Sequence, residues 1–210
     1  EVLLDTIVEC SKQSPVILGI WFVVLILASL AVTLLLKWEP YISGSGIPQV
    51  KAEMLSYIDQ KWWRVILAKC MGGFLSIGCG LSLGREGPSI QLGAMTAKGV
   101  SRALHRGKNE EKFLLTCGAA SGLAAAFNAP LAGVLFCLEE IHKNFSEEVL
   151  LSTMASAVTA DLISRNVFGL SPVFSIQVTE MMPLGEYGHV VLLGVILGAL
   201  GVLYNHSIAF

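Results

Sequence analysis

Residues 16–36 run for 21 positions without a charge, interrupted only by Gly19, Ser29 and Thr33. A helix of that length spans about 30 Å, the thickness of a bilayer's hydrocarbon core. Such a segment fixes the medium in which the chain folds, because backbone polar groups in lipid must be paired internally. The composition of the whole 210-residue chain agrees: 54% of residues are hydrophobic and 14% charged, against about 25% charged in soluble domains, and mean hydropathy is +0.68. The expectation is an all-α integral membrane protein. A net charge of −2 gives no reason to expect nucleic-acid binding. Cys10, Cys70, Cys79, Cys117 and Cys137 form no Cys-x-x-Cys pair, so neither a zinc site nor a disulfide framework is indicated.

Residues 1–15 are polar and mildly acidic and read as a loop segment on the outer side; residues 16–210 read as one transmembrane domain. Residues 65–83 form a second apolar segment rich in Gly72, Gly73, Ser76, Gly78, Gly80 and Ser82, small residues that permit close helix packing inside a bundle. A helix over 89–104, a charged stretch over 98–112 and an apolar run over 113–127 follow. Asn128-Ala129-Pro130 breaks that run, and a short helix over 131–138 closes at Glu139-Glu140. Residues 147–168 make a further crossing, 169–188 a loop with Pro172 and Pro183, and 190–210 a last apolar segment containing Gly194 and Gly198 at Gly-x-x-x-Gly spacing. There is no initiating Met and the chain is still apolar at residue 210, so it reads as part of a longer protein.

Two glycine-rich turns precede helix starts. In Gly84-Arg85-Glu86-Gly87-Pro88-Ser89, Pro88 suits a first helical position, where its missing N–H costs nothing. The first turn of a helix leaves N–H groups unpaired and carries partial positive charge, which makes it an anion site. Gly84 and Gly87 leave the backbone open to a small anion, and the Glu86 carboxylate lies close enough to compete for the same place. A plain helix-cap acid is the alternative reading of Glu86. The second turn, Ser43-Gly44-Ser45-Gly46-Ile47-Pro48-Gln49, leads into a helix over 47–58. Ser45 is placed to cap that helix or to offer a hydroxyl and bare amides to an anion; an ordinary turn is the alternative. Broken helices whose N-termini face an anionic substrate are the construction expected of transporters.

Glu139 and Glu140 sit where acids oppose the helix dipole beside a membrane, which points to a proton role, with a solvated cap as the competing reading. A proton path needs a buried acid and an entry acid, and Glu86 with Glu140 are the pair to supply them where they lie on opposite sides of the midplane. Charge placement orients the chain. With 16–36 running from outside to inside, Lys37, Lys51, Lys61, Arg64, Lys69, Lys98, Arg102, Arg106, Lys108, Lys112 and Lys143 fall inside, and only Lys12 and Arg165 outside, as the positive-inside bias requires.

Gly44-Ser45-Gly46-Ile47-Pro48, Gly84-Arg85-Glu86-Gly87-Pro88 and the run from Gly118 to Glu140, containing Ala126-Phe127-Asn128-Ala129-Pro130-Leu131-Ala132-Gly133, resemble the CLC family of chloride channels and chloride/proton antiporters, in its bacterial form. The resemblance implies a polytopic fold with broken and re-entrant helices. This chain supplies the first of two inverted repeats and the start of the second. It implies a homodimer in the cell membrane, with one anion pathway per subunit, chloride and proton as substrates and no cofactor. Gly44, Ser45, Gly46, Arg85, Glu86 and Gly87 are the implied anion-binding residues, Glu86 the external gate and proton carrier, and Glu140 the internal proton-transfer acid. Glu140 favours antiport over a channel. Gln49 stands where many relatives carry Glu, and the family's second-half Gly-x-Phe-x-Pro loop and chloride-coordinating tyrosine are absent from the sequence; Tyr204 is too early to be that tyrosine.

Alternatives remain open at this point. A passive chloride channel is disfavoured by Glu140, and a fluoride exporter by the intact Gly-Ser-Gly-Ile-Pro. An intramembrane serine hydrolase using Ser121 needs a Gly-x-Ser-Gly form that Ala119 breaks, and neither His189 nor His206 is tied to it by spacing. A fragment serving only in assembly is the remaining class.

Overall fold

The structure, a computed structural model, describes residues 15–81, 83–143, 145–169, 183, 185 and 187–208. Expectations for residues 1–14, for Ser82 and for most of the 169–188 loop fall outside that set. Among the described residues all regular structure is helical. Two compact units divide it, one within Glu1–Val173 and one within Phe174–Phe210.

In the first unit, α1 (Pro15–Trp38) is the long uncharged segment, with Lys37 in its last turn, where a cation complements the helix dipole. Its outer side chains from Ile20 to Leu34 are exposed, while Leu35 and Leu36 turn onto the core. A 3₁₀ turn (Pro40–Ile42) leads to α2 (Ile47–Met54), followed by α3 (Trp62–Gly78), α4 (Glu86–Ala103) and α5 (Lys108–Phe127). Asn128 closes α5 in the left-handed region, φ 54°. Then come α6 (Pro130–Phe136), a π turn (Cys137–His142) and α7 (Glu147–Phe168). Ser146 caps α7 by accepting from the Val149 N–H at 3.4 Å. Arg64 lies over the rings of Trp38 and Trp63, 5.6 and 5.1 Å from their centroids, joining the end of α1 to the start of α3.

Helices α4 and α5 cross most closely, and glycine makes that possible. A Cβ built on Gly93 would run into the Gly118 carbonyl, one on Gly118 into that of Gly93, and one on Gly122 into that of Ser89. Around this crossing Ile90, Ala94, Met95, Leu115, Ala119, Ala120, Val134 and Leu138 form the core. Residues 91, 94, 95 and 98 lie at i, i+3, i+4 and i+7, one stripe of α4, and all four are buried.

Several boundaries differ from the sequence reading. Helix α4 begins at Glu86, so Pro88 is its third residue; a proline is tolerated throughout a first turn whose N–H groups have no intrahelical partners. The reach of α2 is to Met54 and not to 58, because Ser56 turns at φ 61°. Helix α3 stops at Gly78, with Gly80 at φ 84°. It buries Val65, Ala68, Lys69 and Ser76 on one side and leaves Leu67, Met71, Phe74 and Ile77 exposed on another. Glu139 and Glu140 do not close a helix. The coil continues through them as a π turn to His142 and ends at Lys143, φ 56°. Lys69 and Lys98, expected as charges on the inner surface, are buried.

The second unit consists of α8 (Tyr187–Ile208), whose described side chains are all exposed. Among the described residues nothing lies within 4 Å of a Cβ built on Gly194 or Gly198. By length and composition, Gly19–Trp38 and Tyr187–Ile208 are apolar enough to cross a membrane.

Candidate functional site

The two glycine-rich helix starts meet. Gly87 is buried in the first turn of α4, and a Cβ there would collide with the Ser45 carbonyl. The approach is therefore backbone on backbone, open to glycine alone. Gly44 (φ 68°) and Gly46 (φ 98°) make the left-handed bends that bring the 43–46 turn to this position. A cavity of about 510 Å³ opens beside the contact, lined by Ser43, Gly44, Ser45, Lys69, Gly84, Glu86, Gly87 and Pro88, with Val32, Leu36 and Ala68 among its apolar walls.

Side-chain donors, Gln91 and Lys69 among them buried, hold the carbonyls of this turn. Gln91 Nε2 donates to the Tyr41 carbonyl at 2.9 Å, Lys69 Nζ to those of Ile42 and Gly44 at 2.9 and 3.0 Å, and Gln49 Nε2 to that of Ser43 at 2.6 Å. Gln91 Nε2 also reaches Gln60 Oε1 at 3.1 Å, and Gln60 Nε2 the Gln49 carbonyl at 3.0 Å. Four successive carbonyls, which would repel an anion, are thus engaged by N–H groups. What the turn leaves for a ligand is the Ser45 hydroxyl and two helix starts with their unpaired amides.

Of the residues expected at the site, Gly44, Ser45, Glu86 and Gly87 line this one cavity. Ser45 makes no cap; Gly46 holds the N-cap position of α2, without a side-chain bond. Gly46 is buried beneath the surface, where a Cβ would meet Gln91 and the Gly87 carbonyl. Arg85 is exposed and lines a separate hollow with Ser89, Gly93, Gly122, Asn128 and Ser164. Glu140 is not among the cavity's lining residues. It stands on the π turn, where its Oε1 accepts from Lys51 Nζ of α2 at 2.7 Å. Ser121 Oγ donates to the Cys117 carbonyl at 2.8 Å and lies 2.7 Å from Ser156 Oγ, the partners of a packing serine.

Sequence reasoning missed the anchoring side chains Lys69, Gln91, Gln60 and Lys98. Lys98 Nζ bonds Glu53 Oε1, Asp59 Oδ1 (2.7 Å) and the Gln60 carbonyl (2.8 Å), which pins α2 to α4. The available signal was the core stripe of α4, on which Gln91 and Lys98 are polar exceptions.

Broken helices, backbone-to-backbone crossings and a cavity between two glycine-rich helix starts, in a chain this apolar, are the build of a polytopic helical membrane protein. Residues 24–210 match the family described as voltage-gated chloride channel, and the chain belongs to that family; it is an integral membrane protein. Over 205 residues it is 38% identical to the H(+)/Cl(-) exchange transporter ClcA of Vibrio cholerae serotype O1, covering 95% of this chain and 43% of the relative. It is 35% identical over 183 residues to ClcA of Yersinia pestis bv. Antiqua, covering 86% of this chain and 38% of the relative. The crystal structure of a slow cyanobacterial Cl-/H+ antiporter superposes with a TM-score of 0.78 at 32% identity, covering 96% of this chain and 50% of that one. The chain thus spans less than half the length of the curated relatives it matches.

Proposed function

We propose that this chain carries the first half of a chloride/proton antiporter, a multi-pass transporter of the cell membrane that works as a homodimer without a cofactor. The observation that carries the reading is the contact of Ser45 on Gly87, which puts a hydroxyl, a carboxylate and two helix starts on one cavity. The printed names of the relatives and of the solved neighbour, exchange transporters and an antiporter, support it.

In this reading chloride binds against the amides of the two turns and the Ser45 hydroxyl, with the Lys69 side chain adding positive potential. Glu86, first residue of α4, competes for the same field while ionised. Protonation removes its charge, the carboxyl leaves, and chloride takes its place; the carried proton returns along a route that ends at Glu140. Exchange follows because one location cannot hold both anions.

The test uses the full-length protein in liposomes, with a chloride gradient at equal pH, and records proton and chloride movement for wild type and Glu140→Gln. Uphill proton flux in the wild type that vanishes in Glu140→Gln while chloride flux persists is the expected result. Chloride flux without proton movement in the wild type would leave a passive channel and end the antiport reading.

A further inference from the structure

Glu140 is tied to a partner that its proposed task does not require. Lys51 Nζ lies 2.7 Å from Glu140 Oε1, with the two side chains 31% and 46% exposed. Both attachment points are rigid. Helix α2 is held by buried Val50 and Met54 and by Glu53, which accepts from Lys98 and from the Gln60 N–H at 2.8 Å. The π turn is held by buried Cys137, Leu138 and Ile141. Only the two long side chains between these anchors are free to move.

We propose that Lys51 is a positioning residue that latches the Glu140 carboxylate at the mouth of the proton route, so that this acid exchanges protons only while the ion pair is open. The inference rests on the reading of Glu140 as the internal proton-transfer acid. A proton arriving at the closed pair would have to displace the ammonium hydrogen bond, and the open carboxylate has no such competitor. Both groups lie outside the membrane-spanning helices, and their titration agrees. The Lys51 hydrogen bond, then its charge, holds Glu140 below the ordinary carboxylate range, with a smaller contribution from Lys143. The same bond raises Lys51. The other charged or titratable groups around Glu140 are Lys112 of α5, which lines a hollow with Lys51, His142 and Lys143, and Glu139 and His142 on its own turn; α6 supplies none.

Exposure decides that the latch opens. An ion pair this wet is weak and competes continuously with water, unlike the dry Lys98–Glu53 pair two residues along the same helix. It therefore slows proton exchange without stopping it.

The experiment is proton-coupled chloride exchange by the full-length protein in liposomes, measured against pH set equally on both faces, for wild type, Lys51→Met, Lys51→Arg and Glu140→Gln. Lys51→Met should shift the pH of half-maximal proton flux upward and raise flux at neutral pH about two- to fivefold, the size an exposed pair supports. Lys51→Arg, which keeps the cation, should retain the wild-type profile. Lys51→Ala carries the same expectation as Lys51→Met should the latter not purify as folded protein. Proton flux lost in Glu140→Gln but unmoved in pH by Lys51→Met and Lys51→Ala overturns the latch and leaves the antiporter reading standing. Proton flux surviving in Glu140→Gln overturns the role of Glu140 and the latch with it.

Discussion

Replacing Lys98 with methionine keeps most of the side chain's length and removes its charge. In the native chain all three ammonium hydrogens are used, on Glu53, Asp59 and the Gln60 carbonyl, and the Lys98 side chain is 0% exposed. The three acceptors fare differently once the cation is gone. Asp59 is 71% exposed and keeps Arg102 at 2.5 Å, so its loss is small. Glu53, 4% exposed, keeps one bond from the Gln60 N–H and becomes a buried anion without a counterion, which costs about 3–5 kcal/mol. At about 2–4 °C per kcal/mol for a chain of this size, the midpoint should fall by roughly 6–20 °C. Tryptophan fluorescence on heating in detergent reads the right place, since Trp62 packs on Gly99 beside Lys98. Adding Glu53→Gln to Lys98→Met removes the stranded charge while keeping an acceptor for Gln60, and should recover most of the loss. A single variant that melts within about 2 °C of wild type, or a double variant no better than the single, would refute the argument that Lys98 is there to neutralise Glu53.

Two further expectations follow from the same geometry. Gly93→Val and Gly118→Val drive a side chain into the facing backbone carbonyl, which cannot rotate away, and should cost at least about 1–3 kcal/mol, seen as loss of the monodisperse peak on size exclusion; Gly107→Ala, in open space, should behave as wild type. Asp59 lies below the ordinary carboxylate range, first through its Lys98 hydrogen bond. Its contribution is complete above that range and is lost as pH falls through its lowered value. The acid limb of melting temperature against pH, below about pH 4, should therefore flatten in Asp59→Asn, and an unchanged limb would exclude Asp59 as its source.

Local chemistry was legible in the sequence, and distant partnership was not. The α7 helix Glu147–Phe168 covers the same residues as the segment read over 147–168. The break at Asn128 was readable because Pro130 follows it two positions on. The two glycine-rich turns also declared themselves, because backbone-to-backbone contact is a demand that only glycine meets. Lys69 and Lys98 misled because a lysine's letter is the same whether it is solvated or buried. Their acceptors lie 25 to 45 positions away, beyond any local pattern. The π turn was equally hidden, since Cys137 to His142 carries no glycine or proline to mark it. Arg85 and Gly46 each belonged to a contiguous motif, and contiguity in sequence concealed that Arg85 lines a different hollow and Gly46 lies beneath the surface.

The short helix α2 joins these findings. Residues 51 and 53 are about 200° apart around a helix axis at 100° per residue, so Lys51 and Glu53 point in nearly opposite directions from the same turn. Glu53 is locked into the interior by Lys98 and the Gln60 N–H, while Lys51 reaches out to Glu140. The same helix begins at Gly46, whose neighbour Ser45 rests on Gly87. This helix thus connects the cavity at its N-terminus with the Glu140 pair on its outer face, and the buried pair keeps that connection stiff. Loosening α2 through Lys98 should therefore disturb both ends together, whereas cutting Lys51 should change proton handling and leave the cavity intact. That separation is what the buried and exposed lysine–glutamate pairs are each placed to do.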